Sequence, residues 1–186
     1  MATDETIERY DEHGMPVGPV RRSVMRANGL WHAATAVLVR SGDGERVYVH
    51  RRSDDKDAYP GMHDCWAGGV VAAGEQPDDC ARRELAEELG VVGVTPRPLF
   101  VYRYVDPPVR YHSFNYEVRW DGPITHQPSE VVSGEWLAID ELRSRLADPT
   151  WPFVPDGRAG IERWFAGGEH TGQSHQDPIR TSDRMR

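Results

Sequence analysis

The sequence predicts an α/β fold, with strands layered against helices, on three observations. Short apolar or alternating runs are separated by Gly, Pro and Asp clusters; Ala81, Leu85 and Leu89 recur at helical spacing; and there is no internal repeat. Its 186 residues suit one compact domain with loose ends. Residues 1–28 read as a polar N-terminal arm or hairpin, residues 29–166 as the main domain, and residues 167–186 as a polar, disordered tail.

Each element has its own signal. Glu8–Tyr10 and Val17–Arg22 flank the turn-forming stretch Asp11–Pro16, which predicts the small hairpin. His32–Val39 reads as a mostly buried strand, and Ser41–Gly44 turns it into Arg46–Arg51 as a second hairpin. A polar loop, Ser53–Gly61, leads to a short strand over Cys65–Val71. Gln76–Asp79 opens a helix, with Pro77 tolerated in the first turn and Asp78 and Asp79 at the positive end of the helix dipole. Gly90 ends that helix. Strands follow near Leu99–Val105 and Tyr111–Arg119, split by Asp106–Pro108, then a last strand over Trp136–Ile139. Asp140 is expected to cap a short helix ending near Leu146, and a final helix turns Ile161, Trp164 and Phe165 inward.

Composition narrows the function. Thirty acidic against twenty-two basic side chains give a formal charge of −8, and all the basic ones except Lys56 are arginine. Such a surface repels nucleic acid, so no nucleic-acid partner is expected. The longest apolar run, Ala33–Val39, contains Thr35 and falls far short of the ~20 residues that cross a bilayer, so no membrane partner is expected either. Met1–Arg9 is acidic and polar, unlike a signal peptide, and two cysteines are too few for a disulfide scaffold. These readings predict a cytoplasmic protein.

The chemistry concentrates between Gly69 and Val91. Positions three and four apart on a helix share a face, so Glu84, Glu87 and Glu88 form a carboxylate cluster, joined by Glu75 from the preceding loop. Each like-charge pair at this spacing costs an isolated helix ~0.2–0.5 kcal/mol, which Arg82 and Arg83 offset only in part. A solvated acidic face is the bland alternative. Hard divalent cations, Mg2+ above all, take such oxygen ligands together with substrate phosphates.

The spacing decides between the two. Gly69, Glu75, Arg83-Glu84-Leu85, Glu87-Glu88 and Gly90-Val91 fill every fixed position of the 23-residue Nudix box, so the chain resembles a Nudix hydrolase. That resemblance implies an α/β/α sandwich with a mixed β-sheet and a loop–helix–loop that binds Mg2+ or Mn2+. It implies Glu87 and Glu88 as metal ligands with the backbone carbonyl of Gly68, and Glu84 as a further ligand or the base that activates water. Arg83 would orient the glutamates and Glu75 would support them. Glu130, six residues before Trp136, matches a further ligand position of the family.

The implied reaction is hydrolysis of a diphosphate bond in a nucleoside-diphosphate-linked or related small molecule. Bound cations would reverse the local field of an acidic protein. Arg51 and Arg52, directly after a strand, are candidate substrate phosphate contacts, with surface charge as the equal alternative. His50–Ser53, Lys56-Asp57, Tyr59-Pro-Gly61 and Ala67–Gly69 are also similar to isopentenyl-diphosphate isomerase. The position of that enzyme's catalytic cysteine falls here on Gly68, and strand alternation would turn Cys65 the other way. Isomerase-like activity and a non-catalytic nucleotide-binding module are the competing functions, and the N-terminal arm offers a route to a homodimer. His63, Cys80, Tyr102, Tyr104, Tyr111 and Tyr116 read as packing or loop residues.

Overall fold

The computed structural model describes residues 4–56 and 58–167. The elements run β1 (Thr6–Tyr10), β2 (Pro16–Arg21), α1 (Arg22–Asn28), β3 (His32–Arg40), β4 (Arg46–Arg52), β5 (His63–Asp64) and β6 (Trp66–Ala67). They continue through α2 (Pro77–Leu89), β7 (Arg97–Asp106), β8 (Val109–Arg119), β9 (Val131–Ala138), α3 (Ile139–Ala147) and α4 (Pro155–Gly167). The tail from residue 168 onward lies outside the described residues.

The sheet is mixed. β3 runs parallel to β8 over nine residue pairs, from His32 with Tyr111 to Arg40 with Arg119, while β7 lies antiparallel to β8 at the edge. On its other side β3 meets β6, and it contacts β1 through Arg9 and His32. β4 sits between β5 and β9, antiparallel to both. The expected β3–β4 hairpin is joined only at Arg40 and Val47, after which the two strands diverge. Each takes a partner distant in sequence, an outcome that a local turn signal does not reveal. The opening lies where β5, β6 and the following glycines pass between the leaves.

Both faces of β3 are covered, which explains its near-continuous apolar character. Val37 and Val39 pack with Ala67, Tyr116 and Val118 against Ala81, Leu85 and Leu89 of α2. Leu38 faces the other way, into a second core with Val47, Val49 and Leu137, closed by Leu142 and Leu146 of α3 and Ile161 and Trp164 of α4. The result is the α/β/α sandwich.

Several local expectations need correcting. Residues Arg22–Asn28 form a helix, anchored by buried Met25 and ended by Gly29 at φ 53°. Its sequence carries no apolar period, so nothing local announced it. β9 begins at Val131, ahead of Trp136, because it pairs with β4 from there to Ala138, across a register shift that leaves out Val132. Asp140 lies inside the first turn of α3 and does not cap it; the capping position is Ala138, with no side-chain cap bond. Phe165 is only partly buried and lies under the Arg143 guanidinium, 3.9 Å from its ring centroid. The N-terminal hairpin forms as expected and is stitched to the domain: Ile7 is 1% exposed and the Glu8 N–H donates to the Val71 carbonyl at 3.2 Å.

Candidate active site

Helix α2 starts and stops where its sequence dictates, with Pro77 in the first turn and Gly90 at φ 65°. Its last carbonyls would otherwise lack partners. The N–H groups of Thr125 and Gln127 supply them, donating to Leu89 O at 2.9 Å and Glu88 O at 3.1 Å. The Gln127 carbonyl in turn accepts from the Glu130 and Val131 N–H groups, and the Ser53 N–H donates to Glu130 O at 2.8 Å. Capping the helix thus carries Glu130 and the loop after β4 to the glutamates.

Arg83 is the hub of the cluster. Its Nε and Nη2 donate to the two oxygens of Glu75 at 2.9 and 3.0 Å, while Nη1 reaches Glu84 at 2.7 Å and Glu87 at 3.2 Å. A planar guanidinium can hold three carboxylates in this way; a lysine ammonium lacks the fork. These bonds hold the Glu75 carboxyl below the usual carboxylate range and keep the Arg83 guanidinium protonated still more firmly than usual.

Glu84 and Glu88 face inward. Glu88 is 5% exposed, and its Oε2 accepts the Gly68 N–H at 3.1 Å. Burial, reinforced by the Glu84 and Glu130 charges, pushes the Glu88 carboxyl up to about 8. Burial also raises Glu84, although Arg83 pulls against it. Lys56 forms an ion pair with Glu130, and its charge favours ionised Glu88. Among the described residues, no three carboxylate, His or Cys side chains converge closely enough to hold a metal ion as they stand. Buried Glu88 nevertheless lies within range of the Glu84 and Glu130 charges, and carboxylate oxygens of this kind are the donors a hard cation takes.

Two glycines bring the backbone to this set. A Cβ on Gly69 would lie 2.4 Å from Glu84 Oε1, and one on Gly68 would lie 2.0 Å from the Thr35 backbone oxygen. The two alanine substitutions should therefore differ. Gly69→Ala pushes on the end of a side chain and should lower turnover while leaving the melting temperature nearly unchanged. Gly68→Ala pushes on the backbone of β3 and should cost about 1–3 kcal/mol of stability, read by denaturant unfolding.

The structure gathers Glu75, Glu84 and Glu87 on Arg83 and sets Glu88 against Gly68, with Glu130 paired to Lys56 and close enough for its charge to act on Glu88; Glu87 is the most open of these glutamates at 52% side-chain exposure. Arg51 and Arg52 are arranged differently. Arg51 pairs with Asp54 at 2.5 Å, whereas Arg52 donates to the Ala58 carbonyl at 3.2 Å and its buried Nε has no hydrogen-bond partner. Cys65 is 2% exposed inside the second core, where burial holds its thiol firmly protonated. Cys80 is buried beneath Thr35. The tyrosines pack across strands as expected, with Tyr104 and Tyr111 rings 5.3 Å apart, and three of them also bond to carboxylates or carbonyls of the helices. Tyr111 and Tyr102 donate to Asp156, and Tyr116 donates to Asp78.

The sequence reading gave no role to Asp64 or Lys56. Buried Asp64 accepts the N–H groups of Cys65 and Trp66 at 2.8 and 3.1 Å, and so shapes the chain entering Gly68. The available signal for Lys56 was its being the one lysine of the chain.

The site is thus a loop–helix–loop carrying a glutamate cluster on an α/β/α sandwich, with buried Glu88 set against the backbone of Gly68. The NUDIX domain family model matches residues 30–157. The chain is 49% identical over 165 residues to the Nudix hydrolase orf19 of Rhodococcus erythropolis, covering 84% of this chain and 89% of that one. It is 34% identical to the Nudix hydrolase YfcD of Escherichia coli, covering 89% of each. Among solved structures, DR0079 of Deinococcus radiodurans superposes with a TM-score of 0.73 at 26% identity, over 86% of this chain and 98% of that one. The MutT protein of Methanosarcina mazei shares the fold, with a TM-score of 0.61 at 20% identity over 75% and 96% of the two chains. This chain belongs to the Nudix family and is a Nudix hydrolase. No helix among the described residues is long and apolar enough to cross a membrane.

Proposed function

We propose that the chain is a divalent-metal-dependent hydrolase that cleaves the diphosphate bond of a nucleoside-diphosphate-linked or related small molecule. The observation that carries this reading is Glu88, 5% exposed beside Glu84 and Glu130, with its carboxyl pushed up to about 8. Glu84, Glu87, Glu88 and Glu130, with the Gly68 carbonyl, would hold Mg2+ or Mn2+. Bound there, the ion supplies charge neutralisation for a diphosphate and a water of lowered pKa.

The chain's own residues do the rest. Arg83 fixes the carboxylates, and Glu84, raised by burial, is the group suited to accept a proton from water. Arg51 is already paired to Asp54, whereas the Arg52 guanidinium bonds only the Ala58 carbonyl among the described residues, so Arg52 is the better candidate of the two for a phosphate contact. Isomerase chemistry draws no support from Cys65, which is buried in the apolar core with a firmly protonated thiol. Two free, buried cysteines fit the proposed cytoplasmic setting.

A product-release assay over a panel of nucleotide sugars, dinucleoside polyphosphates and isopentenyl diphosphate tests this. With Mg2+ or Mn2+ the expected result is phosphoanhydride cleavage, abolished by chelator and by Glu88→Gln. Conversion of isopentenyl diphosphate to an isomer of equal mass, with no phosphoanhydride cleaved, would replace the proposal with the isomerase reading. Tight nucleotide binding without turnover under any divalent ion would replace it with a binding module.

A further inference from the structure

Lys56 is a cation of this site that lies outside the box. It sits on the loop after β4, where two contacts fix the loop to Glu130 and a third folds the loop on itself. The Ser53 N–H donates to Glu130 O, the Lys56 N–H donates to Ser53 O at 3.3 Å, and the Lys56 ammonium pairs with the Glu130 carboxylate. Both partners of that ion pair are largely shielded, at 22% and 28% side-chain exposure. Glu130 is tied through Gln127 to the Glu88 carbonyl, and the ammonium lies close enough for its charge to act on the Glu88 carboxyl, which Arg83 does not pair.

We propose that Lys56 is a tethered counter-ion that holds the charge position of the divalent cation in the metal-free protein and is displaced from Glu130 when that cation binds. The inference rests on the metal-site reading above. Its physical basis is competition: one carboxylate oxygen does not serve an ammonium and a hard cation equally well, and a partly buried ammonium beside the site also repels a doubly charged ion. Lys56 is thereby a positioning residue. It keeps buried carboxylates apart and neutralised in the empty site, and it sets the affinity at which metal takes over. Metal binding would release only the Lys56 side chain from Glu130, leaving the Ser53 backbone bond in place.

Calorimetric titration of the full chain with Mn2+ at pH 8.5 under argon, comparing wild type with K56M, K56R and E130Q, tests this without any substrate. K56M is expected to bind Mn2+ about fivefold more tightly than wild type, K56R about as tightly as wild type, and E130Q about tenfold more weakly. The melting temperature of K56M should fall below that of wild type in chelator and match it at saturating Mn2+, whereas a purely structural role would lower it in both. K56M affinity equal to or weaker than wild type would overturn the proposal, as would E130Q affinity equal to wild type. A wild type that binds no Mn2+ would sink the metal-site reading and the proposal together. Mn2+ binding with unchanged K56M affinity would sink the proposal alone.

Discussion

Glu88→Gln is expected to lower turnover at saturating Mg2+ by about a thousandfold or more, and to raise the melting temperature of the metal-free protein at pH 8. The first effect follows from the loss of a carboxylate at the centre of the cluster, where we propose a metal ligand. The second follows from linkage. Glu88 is 5% exposed and its folded carboxyl is raised to about 8, well above the ~4.3 of an unfolded glutamate. Between those values the folded state binds the extra proton, so the metal-free protein loses stability as pH rises from about 4 to about 8, and the loss is complete above that. Glutamine has no such proton to lose and still accepts the Gly68 N–H. The gain at pH 8 is on the order of 2–4 kcal/mol, or about 5–10 °C for a chain of this size. Thermal unfolding at pH 5 and pH 8 in chelator checks it: wild type should melt lower at pH 8, and the variant should lose most of that difference. A Glu88→Gln protein with wild-type turnover would remove Glu88 from the machinery.

Arg83→Met carries the second large effect. Arg83 donates to Glu75, Glu84 and Glu87 and is the ion-pair partner of Glu75, whose side chain is 15% exposed. Removing it leaves a shielded carboxylate without its cation. Breaking a fully buried pair costs about 3–5 kcal/mol, and with the Arg83 side chain 36% exposed the expected loss is about 1–3 kcal/mol. Turnover should fall about a hundredfold, because Glu84 loses the bond that aims it. Arg83→Lys should recover little of this, since an ammonium cannot reproduce the bidentate contact to Glu75. Full recovery by lysine would show that charge alone, without fork geometry, organises the cluster. Denaturant melts and steady-state kinetics of the two variants measure both effects.

The legible part of the molecule was the part written locally. Pro77, the Ala81, Leu85 and Leu89 stripe, and Gly90 delimit α2 by capping chemistry and period, and the box spacing fixes which glutamates share its face. The less legible parts depend on partners far away in sequence. The divergence of β3 and β4 is decided by β8 and β9, and the length of β9 is decided by β4. Glu130 could be matched by position to the family, but the Thr125 and Gln127 caps that bring it to Glu88 leave no sequence pattern. Lys56 reaches the cluster through Glu130, 74 residues on, a contact that only the folded chain displays. Arg51 and Arg52 look equivalent as neighbours in sequence, yet a shift in strand register between them gives them separate surroundings.

The most direct test of the central claim is a crystal structure of the full chain grown with Mn2+, read by anomalous scattering. The account predicts a manganese peak bonded to Glu88 and at least one of Glu84, Glu87 and Glu130, with Lys56 withdrawn from Glu130. A fully loaded crystal with manganese bound elsewhere, and the Arg83 and Lys56 pairs intact around an empty cluster, would contradict it.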